Sequence, residues 1–382
     1  MKALLLNAPL KTASVHTNVP LRSPQQPGEL LIRVEAVALN PVDALYTFHP
    51  LGASGRTVGT DFAGTVVSKF DSPDNKDDDE DGGIQIGQRV AGFLQGACSV
   101  NERPGAFAEY LVCPADLVWR VPEGMDLEKA AAVSLCGLTA AQGLFYRLGL
   151  ESPFPFGEGQ GQSAAGEEGD VRVEKREKEK ETLRFLIYGA STSVGMYAAQ
   201  LVRRSCEVSG QRLVLIAAAS RGRWDMLRAA PYGYDALVDY RDPDWPAQTV
   251  KLVASTLREE GKMAVVRSRQ GGAWAATREE LRTEPIYGAV WEGLGVEIQY
   301  QGFVVPASEK ARRFAVAFYK WLSEGGRLEA NPIRLMPGGL DRIVPDGFSL
   351  LGSGTTETRQ QNRTEDWMKP ISAEKLVYRV RG

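Results

Sequence analysis

Histidine is almost missing from this chain: His16 and His49 are the only two in 382 residues. Cysteine is nearly as scarce, and Cys98, Cys113, Cys136 and Cys206 lie far apart with no CxxC pair. A structural zinc needs four closely spaced ligands and a catalytic zinc three. The set therefore reads as scattered core thiols and surface imidazoles, and no metal is expected. Long apolar runs are lacking too. No stretch approaches the roughly 20 residues of a membrane span. The opening MKALLLNAPLKT is too short in its apolar part for a secretory leader, has no small-residue cleavage site, and reads as a first strand. Charge of one sign is the third absence. Forty-five Lys and Arg against 48 Asp and Glu leave a net −3, so no basic patch points to nucleic acid. What remains is the expectation of a soluble, cytoplasmic protein that binds neither membrane nor nucleic acid. At this length one core is seldom enough, so two domains are expected.

The first part of the chain reads as short strands separated by Gly and Pro. Leu30–Ala38, Phe62–Lys69, Arg89–Phe93 and Phe107–Cys113 are β-rich, which suggests a small barrel-like domain over residues 1–125. One connection, Asp71–Gly83, is a block of acids that reads as a solvated loop. From Asp126 the pattern changes. Leu127–Leu148 carries Ala and Leu at helical spacing, with Asp126 placed to cap it. Residues 151–182 are first Gly/Pro/Gln-rich and then alternately charged, the composition of a surface insertion.

A βαβ pattern follows within residues 126–320. The apolar strand Leu183–Tyr188 leads into Gly189-Ala190-Ser191-Thr192-Ser193-Val194-Gly195 and the helix Met196–Arg204. Strand Arg212–Ala219, helix Trp224–Ala230 and strand Ala236–Tyr240 come next. Strands alternating with helices make a parallel sheet, whose ligands sit at the carboxyl ends of its strands. The loop Gly189–Gly195 lies at such an end. Its glycines permit a tight turn, the helix N-terminus attracts a pyrophosphate, and Ser191, Thr192 and Ser193 can donate to phosphate oxygens. A purely structural strand–helix turn is the other reading, because the full GxGxxG is not present. The second strand ends in Ser220-Arg221-Gly222-Arg223, with no acid before Asp225. An acid there would bind the ribose hydroxyls of NAD, whereas arginine suits the 2′-phosphate of NADP. A solvated basic loop is the bland alternative.

Seven segments carry a resemblance. Asn40-Pro41-Val42-Asp43, Gly59-Thr60-Asp61-Phe62-Ala63-Gly64, Gly105–Tyr110 (GAFAEY) and Ala130–Gln142 resemble the zinc-independent quinone-reductase branch of the medium-chain dehydrogenases/reductases. Val238–Pro246, Ala264–Trp274 and Tyr287–Gly295 are similar to the fungal trans-acting enoyl reductases that serve polyketide synthases. The resemblance implies an α/β protein: a GroES-like β-barrel domain, a Rossmann-type parallel sheet domain, and a C-terminal stretch, 321–382, that returns to the catalytic domain. It implies NADPH as cofactor, with Val42, Asp43, Ala44 and Leu45 lining the nicotinamide and Ser191, Thr192, Ser193 and Val194 holding the pyrophosphate. Ser220, Arg221, Gly222, Arg223 and Tyr240 would surround the adenosine phosphate, and Lys369-Pro370 would return to the cofactor. Thr139, Ala140, Ala141, Gln142, Gly143 and Leu144, with Gly293, Leu294 and Gly295, would face the acyl chain. The implied substrate is an α,β-unsaturated thioester on the acyl carrier protein of a polyketide synthase, and the protein is expected to be a monomer. A free-standing quinone or enone reductase, and a non-catalytic scaffold, are the competing readings.

Hydride addition to the β-carbon places charge on the thioester oxygen and then requires a proton at the α-carbon. Thr139 is the candidate hydroxyl and Tyr46 the candidate proton source. Thr139 could instead bond its own helix backbone, and Tyr46 could simply pack the cleft. Some members of the family carry a lysine just after the NPxD turn, where Leu45 and Tyr46 stand in this chain.

One piece is short. Between the DPDWP segment and Thr249 there is no room for a helix and apolar strand that the family has there, on the order of twenty residues. The central Rossmann unit is therefore expected to be truncated, through a skipped exon, a gene-model error or real degeneration. Met263–Arg267 is the strand candidate that could move in beside Leu183–Tyr188.

Overall fold

The computed structural model describes residues 1–70, 83–157, 182–245, 248–249, 261–266, 284–300, 302–352 and 363–381. The acidic block from Asp71, most of the 151–182 insertion, residues 250–260 and Arg267 lie outside them. Two compact units emerge: unit 1 is Met1–Leu138 with Trp291–Gly382, and unit 2 is Thr139–Val290. Residues 291–320, expected with the cofactor half, cluster with unit 1.

Unit 1 begins with a hairpin of β1 (Ala3–Asn7) and β2 (Thr12–His16). Then come β3 (Glu29–Ala38), α1 (Pro41–Phe48), β4 (Asp61–Lys69), β5 (Arg89–Phe93), β6 (Tyr110–Pro114) and β7 (Val118–Arg120). The expected strands are all present, with ends shifted by a few residues. Strand β3 pairs antiparallel with β4 and with β6, and β4 with β5. Alternation explains the packing: Leu30, Ile32 and Val34 of β3, Phe62 and Val66 of β4 and Val90 of β5 are buried in one apolar core with Leu4, Leu6 and Phe107. Each such side chain contributes about 1.5–3 kcal/mol by leaving water.

The helix expected over Leu127–Leu148 is broken. Helix α2 (Leu127–Ala131) ends in a turn, α3 (Ser134–Ala141) starts afresh, and Gln142–Arg147 forms a π-helical turn. Long-range bonds fix the break. Trp119 Nε1 donates to Ser134 Oγ at 2.9 Å, and Asp61 Oδ1 accepts the Leu135 N–H at 2.9 Å at the new helix start. Helical spacing cannot register partners so distant in sequence.

Unit 2 holds β8 (Thr182–Tyr188), α4 (Ser193–Ser209), β9 (Arg212–Ala218), α5 (Trp224–Arg228) and β10 (Ala236–Val238). The three strands form a parallel sheet in the order β10-β9-β8, in register Tyr188↔Ala218 and Val238↔Ala218. Among the described residues β8 pairs with β9 alone, and Leu186 and Tyr188 are 38% and 67% exposed. Strands β11 (Ala264–Val265) and β12 (Ile286–Tyr287) pair with each other. The move of Met263–Arg267 to the side of β8 therefore does not occur: its described part takes a different partner.

The chain then adds to unit 1 a hairpin of β13 (Ile298–Gln299) and β14 (Val304–Val305), helix α6 (Glu309–Ser323), β15 (Ile333–Met336) and β16 (Lys375–Arg379). Strand β16 lies parallel to β15 and antiparallel to β3, with Val377 opposite Ala38. No described helix is long and apolar enough to cross a membrane.

Candidate active site

In unit 2 the loop after β8 has the geometry of an anion cradle. Gly189 takes φ +75, a conformation open to glycine, and a Cβ on Gly195 would lie 2.5 Å from the Gly189 carbonyl oxygen. Thr192 caps α4: its hydroxyl donates to Gly189 O at 2.8 Å and accepts the Gly195 N–H at 3.1 Å. The Thr192 proton is thus used inside the loop, and Ser191, Ser193 and Val194 are its neighbours at the helix terminus. Helix α4 is 17 residues long and closes at Gly210, φ +70.

At the end of β9, Ser220 precedes a 3-10 turn of Arg221, Gly222 and Arg223. Arg221 is 72% exposed at its side chain, sits 3.6 Å from Asp239 and lies over the Trp224 ring at 5.7 Å. Asp239, just beyond β10, is an acid that sequence reasoning missed. Its signal would have been its place at the end of the third strand. Tyr240, 41% exposed, has the Arg241 guanidinium 5.7 Å from its ring. The α3 continuation places Thr139 half-buried and Ala140, Ala141, Gln142 and Leu144 buried, while Gly143 is partly exposed. Gln142 Nε2 donates to Val290 O at 3.5 Å.

In unit 1 the NPVD segment makes the start of α1. Asn40 is the N-cap residue, Pro41 opens the helix, and the Asp43 carboxylate accepts the Asn40 N–H at 2.7 Å. Asp43 and Ala44 are buried, Val42, Leu45 and Tyr46 partly so. Tyr46 lies 6.5 Å from the Tyr300 ring, which stacks on Phe303 at 4.6 Å. Asp43 is therefore a residue of the floor beneath the turn; its side chain faces Thr60, not solvent, with Thr60 Oγ1 donating to it at 3.3 Å. Burial pushes the Asp43 carboxyl up to about 7, against the Asn40 N–H and the Thr60 hydroxyl, which favour its anion.

Gly293 and Leu294 end a 3-10 turn, and Gly295 follows at φ +73. Arg312 holds this corner by donating to Leu294 O at 2.9 Å while it pairs with Asp116. Lys369 and Pro370 are exposed. Their carbonyls, with that of Trp367, accept from the buried guanidinium of Arg334, which also pairs with Glu374. Arg334 was not foreseen; a lone arginine in the strand IRLM is the signal it leaves. Among the described residues no three His, Cys, Asp or Glu side chains gather as a metal site.

Residues 26–123 match the alcohol dehydrogenase GroES-like domain. Solved structures similar over nearly the whole chain include the CurK enoyl reductase (TM-score 0.60, 16% identical, 99% of this chain and 98% of that one). Another is mycobacterial Rv1454c complexed with NADPH (TM-score 0.62, 16% identical, 99% and 100%). Likenesses at this identity establish the fold: a GroES-like half with a Rossmann-type half. Among curated proteins the chain is 30% identical to the trans-enoyl reductase ffsC of Aspergillus flavipes, over 96% of this chain and 92% of that protein. It is 29% identical to the enoyl reductase cheB of Chaetomium globosum, over 92% and 87%. The chain belongs to the trans-enoyl reductase family.

Proposed function

We propose that this protein is a trans-acting enoyl reductase that uses NADPH to reduce the α,β-unsaturated thioester of a polyketide chain carried by a synthase's acyl carrier protein. The observation that carries the reading is the β8–Gly189–α4 cradle in a chain of this family. A nicotinamide dinucleotide is the ligand such a strand–loop–helix unit fits, because its backbone N–H groups and helix dipole receive a pyrophosphate. NADPH is preferred to NADH because Arg221 and Arg223 stand where an acid would select NADH. When bound, the nicotinamide supplies a hydride to the substrate's β-carbon. The chain's own residues then have to hold the thioester, donate to its oxygen as charge builds, and deliver a proton to the α-carbon. We assign the oxygen contact to Thr139 and the proton to Tyr46. Val42, Ala44, Leu45 and Lys369-Pro370 serve the cofactor, and Gly293–Gly295 with residues 140–144 serve the acyl chain. The partner is a polyketide synthase.

One observation favours a second reading. The exposed flank of β8, where Leu186 is 38% exposed and Tyr188, beside Trp245, 67% exposed, fits a degenerate member that keeps the fold and loses turnover. NADPH oxidation on carrier-bound enoyl thioester decides between them: turnover supports the enzyme, and NADPH binding without turnover supports the scaffold.

A further inference from the structure

Under the NPVD turn lies a buried ionic cluster that no part of the proposed chemistry uses. Lys375, the first residue of β16, is 4% exposed, and its ammonium donates to Asp61 Oδ2 at 2.5 Å. Asp61, fully buried, also accepts from Asn40 Nδ2 at 2.8 Å and from the Leu135 N–H at 2.9 Å. Asn40 Nδ2 donates to Thr60 Oγ1 at 2.8 Å as well, and the Cys136 thiol to Asn40 Oδ1 at 3.4 Å. Lys375 further reaches the Ala132 carbonyl at 3.5 Å. Four segments remote in sequence thus meet on one ion pair: the NPVD turn, the start of β4, the break between α2 and α3, and β16. The backbone adds to the link, since the Leu39 N–H donates to Leu376 O at 2.9 Å.

We propose that Lys375 is a positioning residue for the reaction, which through Asp61 and Asn40 fixes where α1 begins and so where Val42–Tyr46 stand. A buried ion pair is a poor way to stabilise a fold, because desolvation offsets most of its attraction, and well-packed apolar residues often do as well. What it gives is direction. Each partner accepts or donates along fixed lines, and here those lines converge on the N-cap of α1. Burial pulls the Lys375 ammonium down, but the Asp61 carboxylate against it more than offsets this and its pKa is raised, so the ammonium keeps its proton. Asp43, facing Asp61, Lys375, Cys98 and Cys136, is the remaining carboxyl of the cluster, and its Oδ1 has no hydrogen-bond partner. One ammonium serves two carboxyls, and Lys375 serves Asp61.

The role of Lys375 in turnover rests on the enoyl reductase reading, whereas its hold on α1 does not. The test uses Lys375→Met and the double variant Asp61→Asn with Lys375→Met, read by thermal melting, by hydrogen–deuterium exchange of peptides covering Val42–Phe48, and by NADPH-dependent reduction of an enoyl thioester. The single variant should melt lower, since it leaves Asp61 uncompensated. The double should recover most of that loss yet exchange its α1 amides at least tenfold faster than the parent, with β3 peptides unchanged, kcat down tenfold and KM within twofold. Wild-type exchange of α1 in the double overturns the proposal, and so does failure of the double to fold, which would make the pair a general core element. A parent without turnover but with the exchange result as stated would refute the enzyme reading and leave the hold of Lys375 on α1 standing.

Discussion

Asp43 is a buried acid with one oxygen engaged and one not, and its titration has a consequence for the folded state. In the unfolded chain it ionises near 3.8; burial moves it to about 7 in the fold. Between those values the folded form binds the extra proton, so its contribution to stability is complete below pH 4 and is lost as pH rises to 7. About three pKa units correspond to on the order of 4 kcal/mol. Asp43→Asn should flatten that part of the curve and raise stability at pH 8 relative to the parent. Urea unfolding at pH 5 and pH 8 checks this, and an unchanged slope would assign the titration elsewhere. A second residue-scale prediction concerns cofactor choice. Replacing Arg221 and Arg223 by Ala should weaken NADPH by roughly 10-fold and leave NADH nearly unchanged, a modest effect because Arg221 is exposed and shared with Asp239. Fluorescence titration of both cofactors measures it; equal losses would remove these arginines from the 2′-phosphate.

Elements differ in how far local sequence decides them. Strands β3, β4 and β5 were readable because apolar alternation and Gly/Pro punctuation are local signals. So was the β8–α4 unit, where an apolar run meets a small-residue loop. The break at Ser134 was not readable, since Trp119 and Asp61 impose it from distant parts of the chain. Lys375 was overlooked for a related reason. Inside KLVYR it looks like the polar start of a strand, and only the fold brings Asp61 to it. Two predictions belong to this scale. Gly195→Ala puts a methyl 2.5 Å from Gly189 O, so the loop must open. It should cost NADPH affinity about 10-fold or more with little change in barrel stability, as cofactor titration and melting would report. Inserting a helix–strand segment from an intact relative between Gln248 and Thr249 should raise both melting temperature and turnover, because a strand beside β8 would pair the edge that has no partner among the described residues and cover Leu186 and Tyr188. No gain in either would mean the sheet needs no further strand.

At the scale of the whole molecule, all four cysteines are buried as free thiols. Fold class was legible because two different periodicities occupy two parts of the chain, and the family because several short motifs survive intact. The candidate site is legible as segments, not as geometry: sequence marks Val42–Leu45 and Ser191–Val194 as candidates, but not that Asp43 turns inward or that Thr192 uses its proton within the loop. The substrate is the claim on which the account turns. The measurement is NADPH consumption, with product identified by mass, on an enoyl thioester bound to carrier protein against free quinones and simple enones. The carrier-bound thioester should be reduced with kcat/KM at least tenfold above any free acceptor. Equal or faster reduction of a free quinone, or NADPH binding with no reduction of either, would contradict it.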